Sequence, residues 1–215
     1  MSRSLYLGRS GLGKTTLMVK KLEEAYNYAG RRKFYTILIS PTARYQELYM
    51  EHKNYFDFFF EDLDETVTQK LQSITEKNSR KSPKKQKKLI IIIDDLGENT
   101  YMKYNKKNNA LNTLVVSARH LKCHLIFLFQ KLVQATTTLR RNVDYIYCFK
   151  LVDSNERNEF WKEFCGDLPE QVFSRLSNKA WDEKYGYLKI DRTDPVKGTK
   201  YYIKEAEENI NKNKL

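Results

Sequence analysis

Apolar residues along this chain follow two rhythms. Short apolar runs, at 3–7, 34–40, 89–93, 124–130 and 143–151, are the length of buried strands. Between them lie stretches at helical spacing. The first runs from Lys14 to about Ala29, with Leu17, Leu22, Ala25 and Tyr26 recurring before Gly30 stops it. Pro41 closes the second strand. At 55–65 a phenylalanine-rich segment turns acidic, which predicts a short strand leading into a helix near 63–76, its aromatics in the core. Residues 108–121 predict a helix with Ala110, Leu111, Leu114 and Val115 on one face. Helices at 154–164, with Phe160, Trp161 and Phe164 as core face, and at 168–181 precede a terminal strand pair at 185–191 and 200–205. Continuously apolar strands alternating with helices predict an α/β fold whose mainly parallel sheet is covered on both faces. With no repeat and no flexible linker, 1–215 reads as one domain: a core to residue 151 and a short helix/strand extension over 152–215.

Composition narrows the class. A hydrophobic fraction of 40% and a charged fraction of 31% suit a globular protein. No apolar run approaches the roughly 20 residues of a membrane span. The N-terminal charge is scattered and Gly8 interrupts any signal-peptide core, so none is expected. Three cysteines without a C-x-x-C pair predict a reduced, intracellular protein. The 39 Lys and Arg exceed the 27 Asp and Glu by twelve, a surplus that favours polyanionic partners.

Candidate chemistry begins where the first strand ends. Gly8-Arg9-Ser10-Gly11-Leu12-Gly13-Lys14-Thr15 spells G-x-x-x-x-G-K-T between a strand and a helix. Glycines let the backbone N–H groups turn toward phosphates, and the helix N-terminus adds its dipole. Gly8 to Thr16, including Leu12 and Thr16, are the expected nucleotide contacts. Lys14 is expected on the β- and γ-phosphates, and Thr15 on Mg²⁺. Asp94 ends a strand of aliphatics; in P-loop proteins such a strand lies beside the first and gives a carboxylate to the Mg²⁺ shell. Asp95 follows as candidate base for the attacking water, with Glu98 in reserve. Gln130 ends the next strand and would touch the γ-phosphate if that strand lies between the other two. "DDLG" also fits the D-x-x-G of GTPases, but no N-K-x-D follows.

In order and spacing, "GRSGLGKT", "LIIIIDD", "SARHLKCHLIFLFQ" and "LRRNVDYIYCFKL" resemble the genome-packaging ATPases of large DNA viruses and virophages. These belong to the FtsK/HerA group of RecA-like, three-layer P-loop motors. The likeness covers about residues 3–151. It implies a homo-oligomeric ring that uses ATP and Mg²⁺ to push double-stranded DNA into a preformed capsid. The implied place is the cytoplasm of an infected cell, with the virion second, and no membrane. Arg119 matches the family's arginine that completes a neighbouring subunit's site, and Arg140 is second choice; such an arginine is worth about 10³–10⁵ in rate. Asp95 departs from the cellular relatives' glutamate, and their additional domains are not expected here. Alternatives are a helicase or recombination ATPase, a GTPase-like switch, and a non-catalytic nucleotide-binding scaffold.

Two basic stretches could meet DNA phosphates. Residues 77–88 carry seven basic side chains and no acid, read as a loop on the sheet face opposite the nucleotide. Residues 101–109 follow the Asp94 strand on the nucleotide side, with Tyr101 and Tyr104 beside the lysines. His120, Cys123 and His124 straddle a helix-to-strand turn, which argues against a metal site.

Overall fold

The computed structural model describes residues 2–96, 110–118 and 122–203. Eight strands form one sheet: β1 (Arg3–Leu7), β2 (Phe34–Ile39), β3 (Phe58–Phe60), β4 (Lys88–Asp94), β5 (Cys123–Phe129), β6 (Tyr145–Phe149), β7 (Tyr187–Asp191) and β8 (Lys200–Ile203). Their order is β3-β2-β4-β5-β1-β6-β7-β8. The first six run parallel, and β7 and β8 add antiparallel pairs at one edge. The described helices are α1 (Lys14–Ala29), α2 (Glu47–Glu51), α3 (Glu65–Ser79), α4 (Ala110–Ser117), α5 (Thr137–Asn142), α6 (Ser154–Phe164) and α7 (Glu170–Trp181).

Strand alternation divides the core in two. Leu5, Leu7, Ile91, Ile93, Phe127 and Phe129 face α3–α7, where Phe160, Phe164, Phe173 and Trp181 pack on them. Tyr6, Leu38, Ile90, Ile92 and Leu128 face the other way, against Met18, Val19 and Leu22 of α1 and Tyr49 of α2. Each fully buried aliphatic side chain contributes about 1.5–3 kcal/mol. The result is the three-layer architecture that the apolar runs predict.

Caps fix several helix starts. Asp64 accepts a hydrogen bond from Val67 N at 2.7 Å, and Asp153 accepts one from Glu156 N at 2.8 Å. Gly30 N–H donates to Tyr26 O at 2.8 Å, which ends α1.

Three expectations need correction. Phe58 and Phe59 are 39% and 43% exposed, because β3 is the three-residue edge of the sheet; Phe56 goes inside instead. The helix expected to stop near 76 runs to Ser79, and β4 starts at Lys88, so only the middle of 77–88 is a turn. Asn78 closes it, donating to Lys87 O at 2.7 Å and accepting from Lys87 N at 3.0 Å. Finally, α2 and α5 fall in stretches where no helix was predicted.

Candidate functional site

The parallel strands end together at one end of the sheet, and a cleft of about 1030 Å³ opens there. Ser10, Gly11, Gly13, Lys14, Thr15 and Thr16 form its floor. Gly13 takes φ 90° directly before α1, the left-handed conformation that suits glycine. No side chain caps that helix and its first turn holds no acid, so its backbone N–H groups and dipole are unopposed there. Gly8, Arg9 and Leu12 do not line the cleft, but Gly8 and Arg9 supply carbonyls: Lys14 Nζ donates to Gly8 O at 2.6 Å and Arg9 O at 2.9 Å. Burial lowers the Lys14 pKa, partly offset by the carboxylates of Asp94 and Asp95.

Asp94 is buried at the tip of β4. Its Oδ2 accepts a 2.7 Å hydrogen bond from the Tyr49 hydroxyl. Burial pushes its pKa up to about 6; the Tyr49 hydrogen bond and Lys14 pull it down, and Asp95 adds to the rise. Tyr49 itself is fully buried, and desolvation and the neighbouring Asp94 raise its own pKa. The sequence reading missed Tyr49. Its one signal is an apolar position three residues after Gln46, which also lines the cleft.

Asp95 turns the chain at φ 59°, a conformation aspartate tolerates better than most residues. Gln130 Nε2 donates to Asp95 Oδ1 at 2.9 Å. That contact exists because β5 lies between β1 and β4, the arrangement under which Gln130 would reach the cleft. The Asp94 strand is therefore not beside β1; one strand separates them, and Gln130 stands in the gap. Gln134 holds the end of β5, its Oε1 accepting from Gln130 N at 2.8 Å and Lys131 N at 2.9 Å.

On the other side of β1 the cleft wall is aromatic: Phe149 at the end of β6, and Tyr185 and Tyr187 around the start of β7. The extension thus borders the site.

Arg140 does not line the cleft. Its Nε donates to Ala135 O at 2.8 Å, and a terminal nitrogen lies 3.8 Å from Glu163. Asn142 and Asp144, from the same motif, hold the buried Arg3 instead: Arg3 Nε reaches Asp144 Oδ2 at 3.0 Å and NH1 reaches Asn142 Oδ1 at 3.3 Å. Glu98, Arg119, His120 and the 101–109 stretch lie outside the described residues. Burial lowers the His124 pKa to about 4, and its Nδ1 pairs with Ser2 Oγ at 3.1 Å.

A family model described as poxvirus A32 protein matches residues 2–162. The chain belongs to the poxvirus A32 protein family. No curated protein sequence matches it. Among solved structures, this A32-family chain is similar to the genome packaging NTPase B204 from Sulfolobus turreted icosahedral virus 2 in complex with ATP-gammaS. The TM-score is 0.67 at 18% identity, over 94% of this chain and 95% of that one. B204, the DNA-packaging ATPase from Sulfolobus turreted icosahedral virus, aligns with TM-score 0.64 at 17% identity, over 88% and 92% of the two chains. EssC (ATPases 2 and 3) from Geobacillus thermodenitrificans aligns with TM-score 0.56 at 13% identity, over 74% of this chain and 34% of that one. The A32-family match and the shared P-loop NTPase fold bear out the resemblance read from the motifs.

Proposed function

We propose that this chain is an ATPase subunit of a motor that drives double-stranded viral DNA into a preformed capsid. One observation carries it: Asp94, Asp95 and Gln130 meet Lys14 around one cleft, in a chain of the poxvirus A32 family. The B204 proteins, with the same fold, are packaging NTPases whose structures include an ATP-gammaS complex.

Lys14 neutralises the β- and γ-phosphates from its place over the loop carbonyls. Thr15 and Asp94 offer hard oxygen donors suited to Mg²⁺, and Tyr49 orients the carboxylate; the oxygen-only donor set and the burial of Asp94 fit that ion. Bound there, Mg²⁺ would neutralise phosphate charge. Asp95, steered by Gln130, takes a proton from the water that attacks the γ-phosphorus, and the bond to the β-phosphate oxygen breaks. Arg119 reaches a neighbouring subunit's site. Arg140, held by Glu163 and Ala135 O, is the weaker candidate for that role. A ring of copies working in the infected cell, gripping DNA through basic loops and docking on the capsid, completes the reading.

The deciding experiment is hydrolysis of ATP and GTP by the purified chain, with and without linear duplex DNA, beside Lys14→Ala. The expected result is ATP turnover stimulated by duplex DNA and lost in the variant. GTP preference, or turnover indifferent to DNA, would leave only the fold in common with packaging motors.

A further inference from the structure

The two sides of the cleft differ in chemistry, and the sheet order explains why. Flanking β1 on one side are β5 and β4, which bring Gln130, Asp95 and Asp94. Flanking it on the other are β6 and β7, which bring Phe149, Tyr187 and Tyr185. A nucleoside triphosphate lying on the loop with its γ-phosphate toward the carboxylates therefore extends its other end toward the aromatics.

Of the three, Phe149 and Tyr187 are buried, whereas Tyr185 is 47% exposed and still borders the cleft. It sits against the loop itself: a Cβ added to Gly13 would meet its Cδ1 at 3.3 Å. The backbone there is built for the purpose. Tyr185 takes φ 64°, an outlier for a bulky aromatic, of the kind that accumulates at ligand clamps. Next to it, Gly186 packs so tightly on α7 that an added Cβ would stand 2.1 Å from Ala180 O, while its N–H donates to Glu183 O at 2.9 Å. That turn holds the ring over the phosphate loop. The Lys184 ammonium lies over the same ring at 5.1 Å, a cation–π contact that holds the ring in place.

We propose that Tyr185 is the stacking platform for the purine base, so that the C-terminal extension forms the base subsite of the nucleotide site. The inference rests on the ATPase reading above. A base stacked on an aromatic side chain is worth about five- to 150-fold in affinity.

The test measures binding of ATP and of tripolyphosphate, which has no base, to the wild-type chain, Tyr185→Ala and Tyr185→Phe. The expected result is that Tyr185→Ala weakens ATP by at least fivefold and leaves tripolyphosphate unchanged, while Tyr185→Phe binds both as the wild type does. Equal weakening of both ligands, or of neither, would overturn the proposal. If the wild-type chain bound neither ligand, the nucleotide reading would fall first and the base subsite with it.

Discussion

Asp94 is a carboxylate that the folded chain holds against its own solvation. Its pKa is near 6 when folded and about 3.9 in an unfolded chain. Between those values the folded state binds more protons, so stability falls as pH rises from about 4 to about 6 and stays reduced above that. The penalty is on the order of 3 kcal/mol. Asp94→Asn keeps an oxygen for the Tyr49 hydroxyl and removes the charge. Its melting temperature is expected to exceed that of the wild type at pH 8 and to converge with it near pH 4, with ATP hydrolysis lost throughout. Thermal melts across that range check this; a variant less stable at pH 8 would contradict it. Such a trade of stability for function is common at active sites.

Elements decide which residues can serve this carboxylate. The five residues of α2 are too few to be helical alone and depend on tertiary contacts. Those contacts centre on Tyr49, whose ring meets Phe56 edge-on at 5.7 Å and whose hydroxyl is spent on Asp94. Tyr49→Phe keeps the ring but withdraws a donor from a buried anion. It is expected to lower stability at pH 8 by about 1–3 kcal/mol. The loss should shrink below pH 6, where Asp94 is protonated; urea unfolding at pH 8 and pH 5 reads both. The long elements were legible because their apolar periods are long. The periodicity missed α2 and α5, and it sent Phe58 and Phe59 inside, because no period reveals that β3 is an edge. At the site, Lys14, Thr15 and Asp94 could be read from spacing, and Tyr49 could not.

At the scale of the molecule, one ion pair ties together segments far apart in sequence. Arg3 and Asp144 are both buried, joined through two guanidinium nitrogens at 3.0 and 3.1 Å, with Val115 O accepting a further hydrogen bond at 3.3 Å. The clamp fixes the entry of β1 to that of β6, at the end of the sheet away from the cleft. Removing one partner leaves a buried charge unpaired, so Asp144→Ala is expected to lose about 3–5 kcal/mol. Adding Arg3→Met should recover part of that loss, because the two sites are coupled. Denaturant midpoints for the two single variants and the double variant decide it; additive losses would mean that the pair does not act as a unit.

The sequence by itself determined the classes of structure and chemistry. The unbroken aliphatic runs required buried parallel strands, the glycines before Lys14 required a phosphate loop, and Asp94 had to sit at a strand tip, because each follows from local spacing. Tertiary structure alone decided adjacency. Strand order is a long-range choice made by packing, and it put β5 between β1 and β4, so that Gln130 reaches Asp95. The same choice laid the C-terminal strands along β6 and brought Tyr185 over Gly13, some 170 residues away in the chain. No local pattern encodes a neighbour at that distance; the sheet that buries both faces does.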